Sequence, residues 1–221
     1  MFKKIIALMI VAVLVGVLSP SAFAALKTQN INVYASIPST ANGLDVQIRK
    51  VIPGAQASCS VSAAPDTWDP TPLSEMRFGT LTFDNTNKIF KGSYYFAVDV
   101  GVNDNTGTEW TIAHTILQSI QRDTTNNLNS NVNVTFMRQT ITNTSGTQLA
   151  KVSFAESGTK SYSKTQLKEG ATQGWLRIYY GIGTGNKVVD QCPDDAPNVL
   201  PIGMDKPYGD YAGAATLTLT P

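Results

Sequence analysis

The chain has 221 residues, of which 42% are hydrophobic and 15% charged, and its formal net charge at pH 7 is +1. With 17 Lys and Arg against 16 Asp and Glu, the chain has no charge excess to attract nucleic acid or anionic lipid, so neither partner is expected. One histidine and two cysteines are too few for a structural zinc site. The composition predicts no metal and no cofactor, and it favours a binding or structural protein outside the cytoplasm.

Residues 1–24 have the features of a secretory signal peptide. Lys3 and Lys4 form a basic start, Ile5–Val17 is an apolar run, and Ala22-Phe23-Ala24 is a cleavage site. The alternative, a membrane anchor, is disfavoured because the apolar run is too short to cross about 30 Å of hydrocarbon. We expect a secreted chain with no stable membrane anchor. Residues 25–221 should form a single domain.

Apolar and polar residues alternate with a period of two along most of the chain after the signal peptide, which predicts β-strands. Met76–Phe83 changes phase at Gly79, and a β-bulge would explain the change. A helix-like patch, Ser163–Glu169, ends before Gly170. The other predicted strands are Gln29–Ile37, 44–48, Cys59–Ser62, Tyr94–Val102, Trp110–Ile116, Val132–Phe136, Leu149–Phe154, Trp175–Ile182 and Ala215–Leu219. Roughly nine or ten strands without a β-α-β rhythm indicate an all-β sandwich or barrel, and of the two we favour the antiparallel β-sandwich.

The cysteines are Cys59 and Cys192. An even pair in an exported chain forms a disulfide more often than two thiols, so we predict a Cys59–Cys192 bond. The alternative is a pair of separate free thiols in a reducing compartment.

His114 is the one histidine that could act as a base in nucleophilic catalysis, and no Gly-x-Ser-x-Gly turn accompanies it. Because it alternates with Ile112 and Ile116, we predict a histidine packed or hydrogen-bonded within a sheet. Carboxylates could form a glycosidase pair or bind calcium, but the calcium-loop spacing is missing and solvated turns are the simpler interpretation. The carboxylates considered for a glycosidase pair are Asp66, Asp69, Asp99, Asp104 and Glu109. The oxygen ligands considered for calcium are Asp99, Asn103, Asp104 and Asn105. No catalytic residue is predicted, and the protein is not expected to be an enzyme.

Aromatic residues suggest a second kind of site. Sandwich domains bind sugars on aromatic platforms, and Trp68, in a loop rich in Pro and Asp, is the best candidate for a sugar contact. Trp110 and Trp175 lie in predicted strands, where core packing is the more common role.

Two segments resemble the spore coat protein U and chaperone–usher pilin-like superfamily. Cys59-Ser60-Val61-Ser62, followed by Met76-Arg77-Phe78-Gly79-Thr80-Leu81, is similar to that family's cysteine, short strand and apolar-x-Phe-Gly strand. Pro207-Tyr208-Gly209-Asp210-Tyr211-Ala212-Gly213, leading into Ala215–Leu219, is similar to its closing strand. The resemblance implies an immunoglobulin-like sandwich that is exported to the periplasm or cell surface of a bacterium and assembles into a surface fibre, pilus or coat. A periplasmic chaperone and usher are the partners that it implies.

A sandwich that lacks one strand can accept a strand from another copy. Gln29–Ile37 has the alternation that a donor strand needs, and the alternative is that it forms the first strand of its own domain. Its groove-filling side chains would be Ile31, Val33, Ala35 and Ile37. The leading hypothesis is therefore an exported structural subunit that associates with copies of itself or with related subunits. The second is a secreted, monomeric carbohydrate-binding or adhesive sandwich domain.

Overall fold

The structure is a computed structural model that describes residues 31–35 (backbone), 43–51, 73–103, 109–140, 146–170, 172–187 and 194–221. The described part of the chain is an all-β fold, as predicted. Its elements are β1 (Ile31–Ala35), β2 (Gly43–Val51), β3 (Thr82–Asp84), β4 (Ile89–Lys91), β5 (Tyr95–Asn103), β6 (Thr111–Gln121), β7 (Val132–Gln139), β8 (Gly146–Ser153), α1 (Phe154–Ser157), β9 (Lys160–Ser163), β10 (Lys168–Glu169), β11 (Thr172–Gln173), β12 (Trp175–Ile182) and β13 (Ala212–Thr220).

Two sheets form the sandwich. The strand order is β1-β13-β6-β9 in the four-stranded sheet and β2-β5-β12-β7-β8 in the five-stranded sheet. Neighbouring strands in both sheets are antiparallel, except for β1, which runs parallel to β13. Two short hairpins, β3-β4 and β10-β11, complete the described strands. The helix α1 carries the chain from the outer strand of one sheet to the outer strand of the other.

The main core lies between the two sheets because alternate residues of each strand point inward. Phe96, Phe136 and Ile178 of the five-stranded sheet are buried there with Ile112 and Leu217 of the four-stranded sheet. Burial of each such side chain stabilises the fold by about 1.5–3 kcal/mol. The alternation therefore accounts for the predicted strands that became β5, β6, β7, β8, β12 and β13.

The helix-like patch predicted at Ser163–Glu169, a turn or two, is a single turn in which the Leu167 N–H donates to the Ser163 carbonyl at 3.1 Å. The prediction was wrong for Lys168–Glu169, which form a strand. The local helix signal is real, because the Ser163 N–H donates to Gln166 Oε1 at 2.8 Å and the Gln166 N–H donates to Ser163 Oγ at 3.3 Å, as in a capping box. The chain nevertheless makes only a turn there, and Lys168–Glu169 pairs with Thr172–Gln173 as a hairpin. Burial of Leu167 in the main core outweighs the helix propensity.

The predicted strand Met76–Phe83 was also wrong at its start, since strand structure begins at Thr82. Met76 is fully buried, and the ring of Phe78 packs edge-on against Phe96 with centroids 5.1 Å apart. The alternation thus came from a packed loop. Gly79 has φ +68°, a conformation that favours glycine, and it lies in a loop before the strand, so the change of phase is not a bulge.

Candidate functional site: the edge beside the last strand

The last strand, β13, lies between two neighbours in the four-stranded sheet. One side of its backbone pairs with β6, and the other side pairs with β1. Its inward residues Ala215 and Leu217 are fully buried, whereas Thr218 and Thr220 on its other face are exposed. Without β1, β13 would become an edge strand with a row of unpaired N–H and C=O groups beside an apolar interior. This edge is the best candidate for strand addition.

The register of β1 agrees with the predicted donor face. Ile31, Val33 and Ala35 pair with Gly213, Ala215 and Leu217 of β13. Aligned residues of paired strands share a face of the sheet, so these three positions lie on the face that β13 turns toward the core. Ile37 lies outside the described residues. Sequence reasoning could not foresee the parallel direction, because alternation reads the same both ways along a strand.

His114 joins the two sheets through the core. Its Nδ1 lies 3.0 Å from the carbonyl oxygen of Ser157, and its Nε2 lies 2.6 Å from the hydroxyl of Tyr180 on β12. A carbonyl only accepts, so Nδ1 carries the proton and Nε2 accepts from Tyr180. Burial lowers the pKa of His114 to about 4 and raises the pKa of Tyr180. The prediction of a hydrogen-bonded sheet histidine is confirmed.

Two tryptophans are integrated in the sandwich. Trp110 is buried in the core, and the Trp175 indole N–H donates to the carbonyl of Thr140 at 3.0 Å. Trp68, the predicted sugar contact, lies outside the described residues, so that role stays a prediction.

Of the carboxylates predicted on turns, the structure describes Asp99 and Glu109, and they differ in burial. Asp99 is not on a solvated turn: it lies in β5, and its oxygens accept from Arg177 Nε at 2.8 Å and Nη2 at 3.3 Å. Burial raises the pKa of Asp99, and the Arg177 guanidinium opposes that rise. Glu109 is exposed and accepts a hydrogen bond from Thr165. Asp66, Asp69 and Asp104 lie outside the described residues, as do the cysteines Cys59 and Cys192.

Sequence reasoning missed a second buried layer on the outer face of the five-stranded sheet. Tyr95, Ala97, Met137 and Tyr179 form a cluster there with Val51, and each is at most 5% exposed. Side chains on this face alternate with those of the main core, so the central strands are covered on both sides. The signal was present in β12, whose sequence WLRIYYGI is apolar or aromatic at nearly every position, as is typical of a strand buried on both faces.

Arg177 lies within this layer. Its side chain is 1% exposed, and the guanidinium carbon stands 4.7 Å from the centre of the Trp175 ring and 5.9 Å from that of Tyr179. Aromatic faces and the Asp99 carboxylate together offset the loss of hydration of this cation.

In the part of the chain that the structure describes, no three His, Cys, Asp or Glu side chains converge as metal ligands. No helix in these same ranges is long and apolar enough to cross a membrane. Comparison of the chain with family models, curated proteins and solved structures finds no match in any of the three. The resemblance drawn from the two sequence segments therefore stays a prediction.

Proposed function

We propose that the protein is an exported structural subunit of a surface fibre, pilus or coat, and that copies of it associate by β-strand addition. The observation that carries the proposal is the parallel pairing of β1 with β13, in which the predicted donor positions align with the buried side of β13. In the assembly, β1 of one copy would take this place beside β13 of the next copy. A periplasmic chaperone and usher are the partners that the resemblance implies.

The kind of interface explains why a fibre would result. The donor is a strand and the acceptor is the edge of another strand, so the two surfaces that meet are different. Such head-to-tail contacts continue indefinitely when they do not close into a ring. A chain with few charges and exposed threonines on β13 meets little electrostatic repulsion when copies pack closely.

Paired cysteines test the proposal directly. Val33 and Ala215 are register partners, so a Val33→Cys/Ala215→Cys variant should form a disulfide wherever β1 pairs with β13. Strand addition between copies predicts a ladder of crosslinked multimers on a non-reducing gel. Crosslinked monomers alone, at every protein concentration, would show that β1 completes its own domain and would refute the proposal. The control is Asn32→Cys/Ala215→Cys, which places one cysteine on the opposite face.

A second test uses charge. Val33→Asp should abolish multimers seen by negative-stain microscopy and size exclusion, because a carboxylate would face the apolar interior. Asn32→Asp, one residue earlier on the other face, should leave them intact. Deletion of residues 25–38 should leave a folded monomer that binds a synthetic peptide of residues 29–37. Multimers from the deleted chain would contradict β1 as the donor.

Cys59 and Cys192 are proposed to form the disulfide that an exported chain favours. Closure of so long a loop stabilises a fold by about 4–5 kcal/mol on the chain-entropy model. Peptide mapping of the exported protein without reductant should recover the linked peptides. Two alkylatable thiols in the exported, native protein would contradict the pairing.

A further inference from the structure

The two sheets of the described sandwich have four outermost strands, which are β1 and β9 in one sheet and β2 and β8 in the other. Native proteins keep outermost strands from pairing with other chains by means of charged side chains, β-bulges and short strands. β2 has charges, Asp45, Arg49 and Lys50, and its Ile48 carbonyl accepts from the Leu73 N–H at 2.7 Å. The edge of β2 is therefore charged and partly covered by the chain itself.

The strand β8 has two of these protective features. Its eight residues, GTQLAKVS, give it the length of an ordinary strand, and within the described ranges it pairs only with β7. Its register against β7 shifts between Phe136 and Met137, which leaves Leu149 as the extra residue of a β-bulge. Lys151 follows two residues later and is partly exposed. A strand added here would meet an irregular backbone and would cover the ammonium group of Lys151, which is unfavourable.

The strand β9 is protected in a different way. It has only four residues, Lys160–Ser163, and it pairs with β6. Lys160 is the register partner of His114, which is buried. Because aligned residues share a face of the sheet, Lys160 lies on the core face at the outermost strand. A charge on the inward face of an edge opposes the addition of a further strand.

The edge of β13 that pairs with β1 has none of these protective features. The nine residues of β13, AGAATLTLT, include no charge and no proline, and the same is true of β1, INVYA. The register between β1 and β13 is continuous over its five pairs, and the register shifts of β13 occur on its other side, against β6. A long, uncharged and regular edge of this kind pairs readily with an added strand.

We propose that Lys151, the bulge at Leu149 and Lys160 are edge guards that block strand addition along β8 and β9, so that added strands pair only beside β13. Each copy then has one acceptor edge, and an assembly of copies grows without branches. The single acceptor edge rests on the proposed function. The guards themselves do not, because they prevent edge-to-edge pairing whether or not copies exchange strands.

Removal of the two charges tests the guards in the full mature chain. Lys151→Thr/Lys160→Thr replaces both lysines by a residue that favours strands, and Val33→Asp is added to disable β1 as a donor. This variant should form multimers on size exclusion, and hydrogen exchange in residues 146–153 or 160–163 should slow by about tenfold or more in them. The matched control, Lys187→Thr/Lys206→Thr with Val33→Asp, removes two charges outside the edges and should gain no such protection. If Val33→Asp alone still multimerises, donation by β1 is refuted, while exchange in residues 146–153 and 160–163 still tests the guards.

Charge reversal separates guarding from other roles of the two lysines. Lys151→Glu/Lys160→Glu should gain no protection in β8 or β9, because a charge of either sign opposes strand addition. Slow exchange in β12, at the centre of its sheet, shows that a variant is folded, and if Val33→Asp prevents folding, the threonine pair is measured without it. The proposal would be overturned by a folded threonine variant whose β8 and β9 exchange as in the control, or by equal protection in the glutamate variant.

Discussion

The hydrogen bonds of His114 predict how the stability of the protein depends on pH. Folding holds the imidazole neutral, with a pKa lowered from 6.5 to about 4, so the unfolded chain binds a proton more readily than the native one. The stabilisation is fully present above pH 6.5 and is lost as the pH falls toward 4. From about pH 7.5 to about pH 5, this group should lower the free energy of unfolding by about 2 kcal/mol.

Urea unfolding of the wild type and of His114→Gln at both pH values isolates the effect. Glutamine can donate to Ser157 or accept from Tyr180 but does not titrate, and both proteins share the same carboxylates. The wild type should lose about 2 kcal/mol more than the variant over this range. Because the chain has one histidine, its imidazole NMR signal also gives the native pKa directly. Equal pH dependence of the two proteins, together with an imidazole that titrates near 6.5, would refute the reasoning.

Three further substitutions test the packing. Gly181→Ala should destabilise the fold by about 2 kcal/mol or more because the new methyl group displaces the Tyr95 ring. At the control position Gly101, the atom nearest to an added Cβ is 4.0 Å away, so Gly101→Ala should cost less than about 1 kcal/mol. Equal urea midpoints for the two variants would contradict the contact between Gly181 and Tyr95. Arg177→Met should cost about 3 kcal/mol because Asp99 loses the cation that donates two hydrogen bonds to it. The double variant Arg177→Met/Asp99→Leu should recover most of that loss. A double variant no more stable than the single one would argue against the pair. Leu217→Ala should lower the free energy of unfolding by about 2–5 kcal/mol. The exposed control Thr218→Ala should change it by at most about 0.5 kcal/mol. Thermal melting midpoints that are similar for the two variants would place Leu217 outside the core.

Much of the fold could be predicted from alternation alone, because burial of one face imposes a period of two. That rule predicted β5, β7, β12 and β13, and it predicted that His114 is packed or hydrogen-bonded within a sheet. Alternation failed at Met76–Phe83, where buried residues lie in a loop and not in a strand. The local helix signal at Ser163–Gln166 failed because tertiary contacts end the helical turn there. Alternation also missed that β12 is covered on both faces, although the nearly continuous apolar and aromatic run WLRIYYGI is typical of such a strand.

The candidate site was predictable only in part. The alternating spacing of Ile31, Val33 and Ala35 predicted a donor strand. It did not predict β13 as the partner, because pairing between strands far apart in the chain leaves no local pattern in the sequence. The ion pair of Asp99 with Arg177 was missed for the same reason: its two residues lie on β5 and β12, and a carboxylate in a strand looks like any outward polar residue until its neighbours are known.

The adjacency of β1 and β13 has a consequence for the order of folding. About 180 residues separate the two strands along the chain, and closure of a loop of that length costs about 4–5 kcal/mol of chain entropy. Contacts of such long range form slowly. During synthesis the first strand emerges well before its partner, so the two strands can pair only after β13 has been made. If copies associate by the proposed strand addition, that delay is the interval in which a neighbouring chain can reach the same edge first.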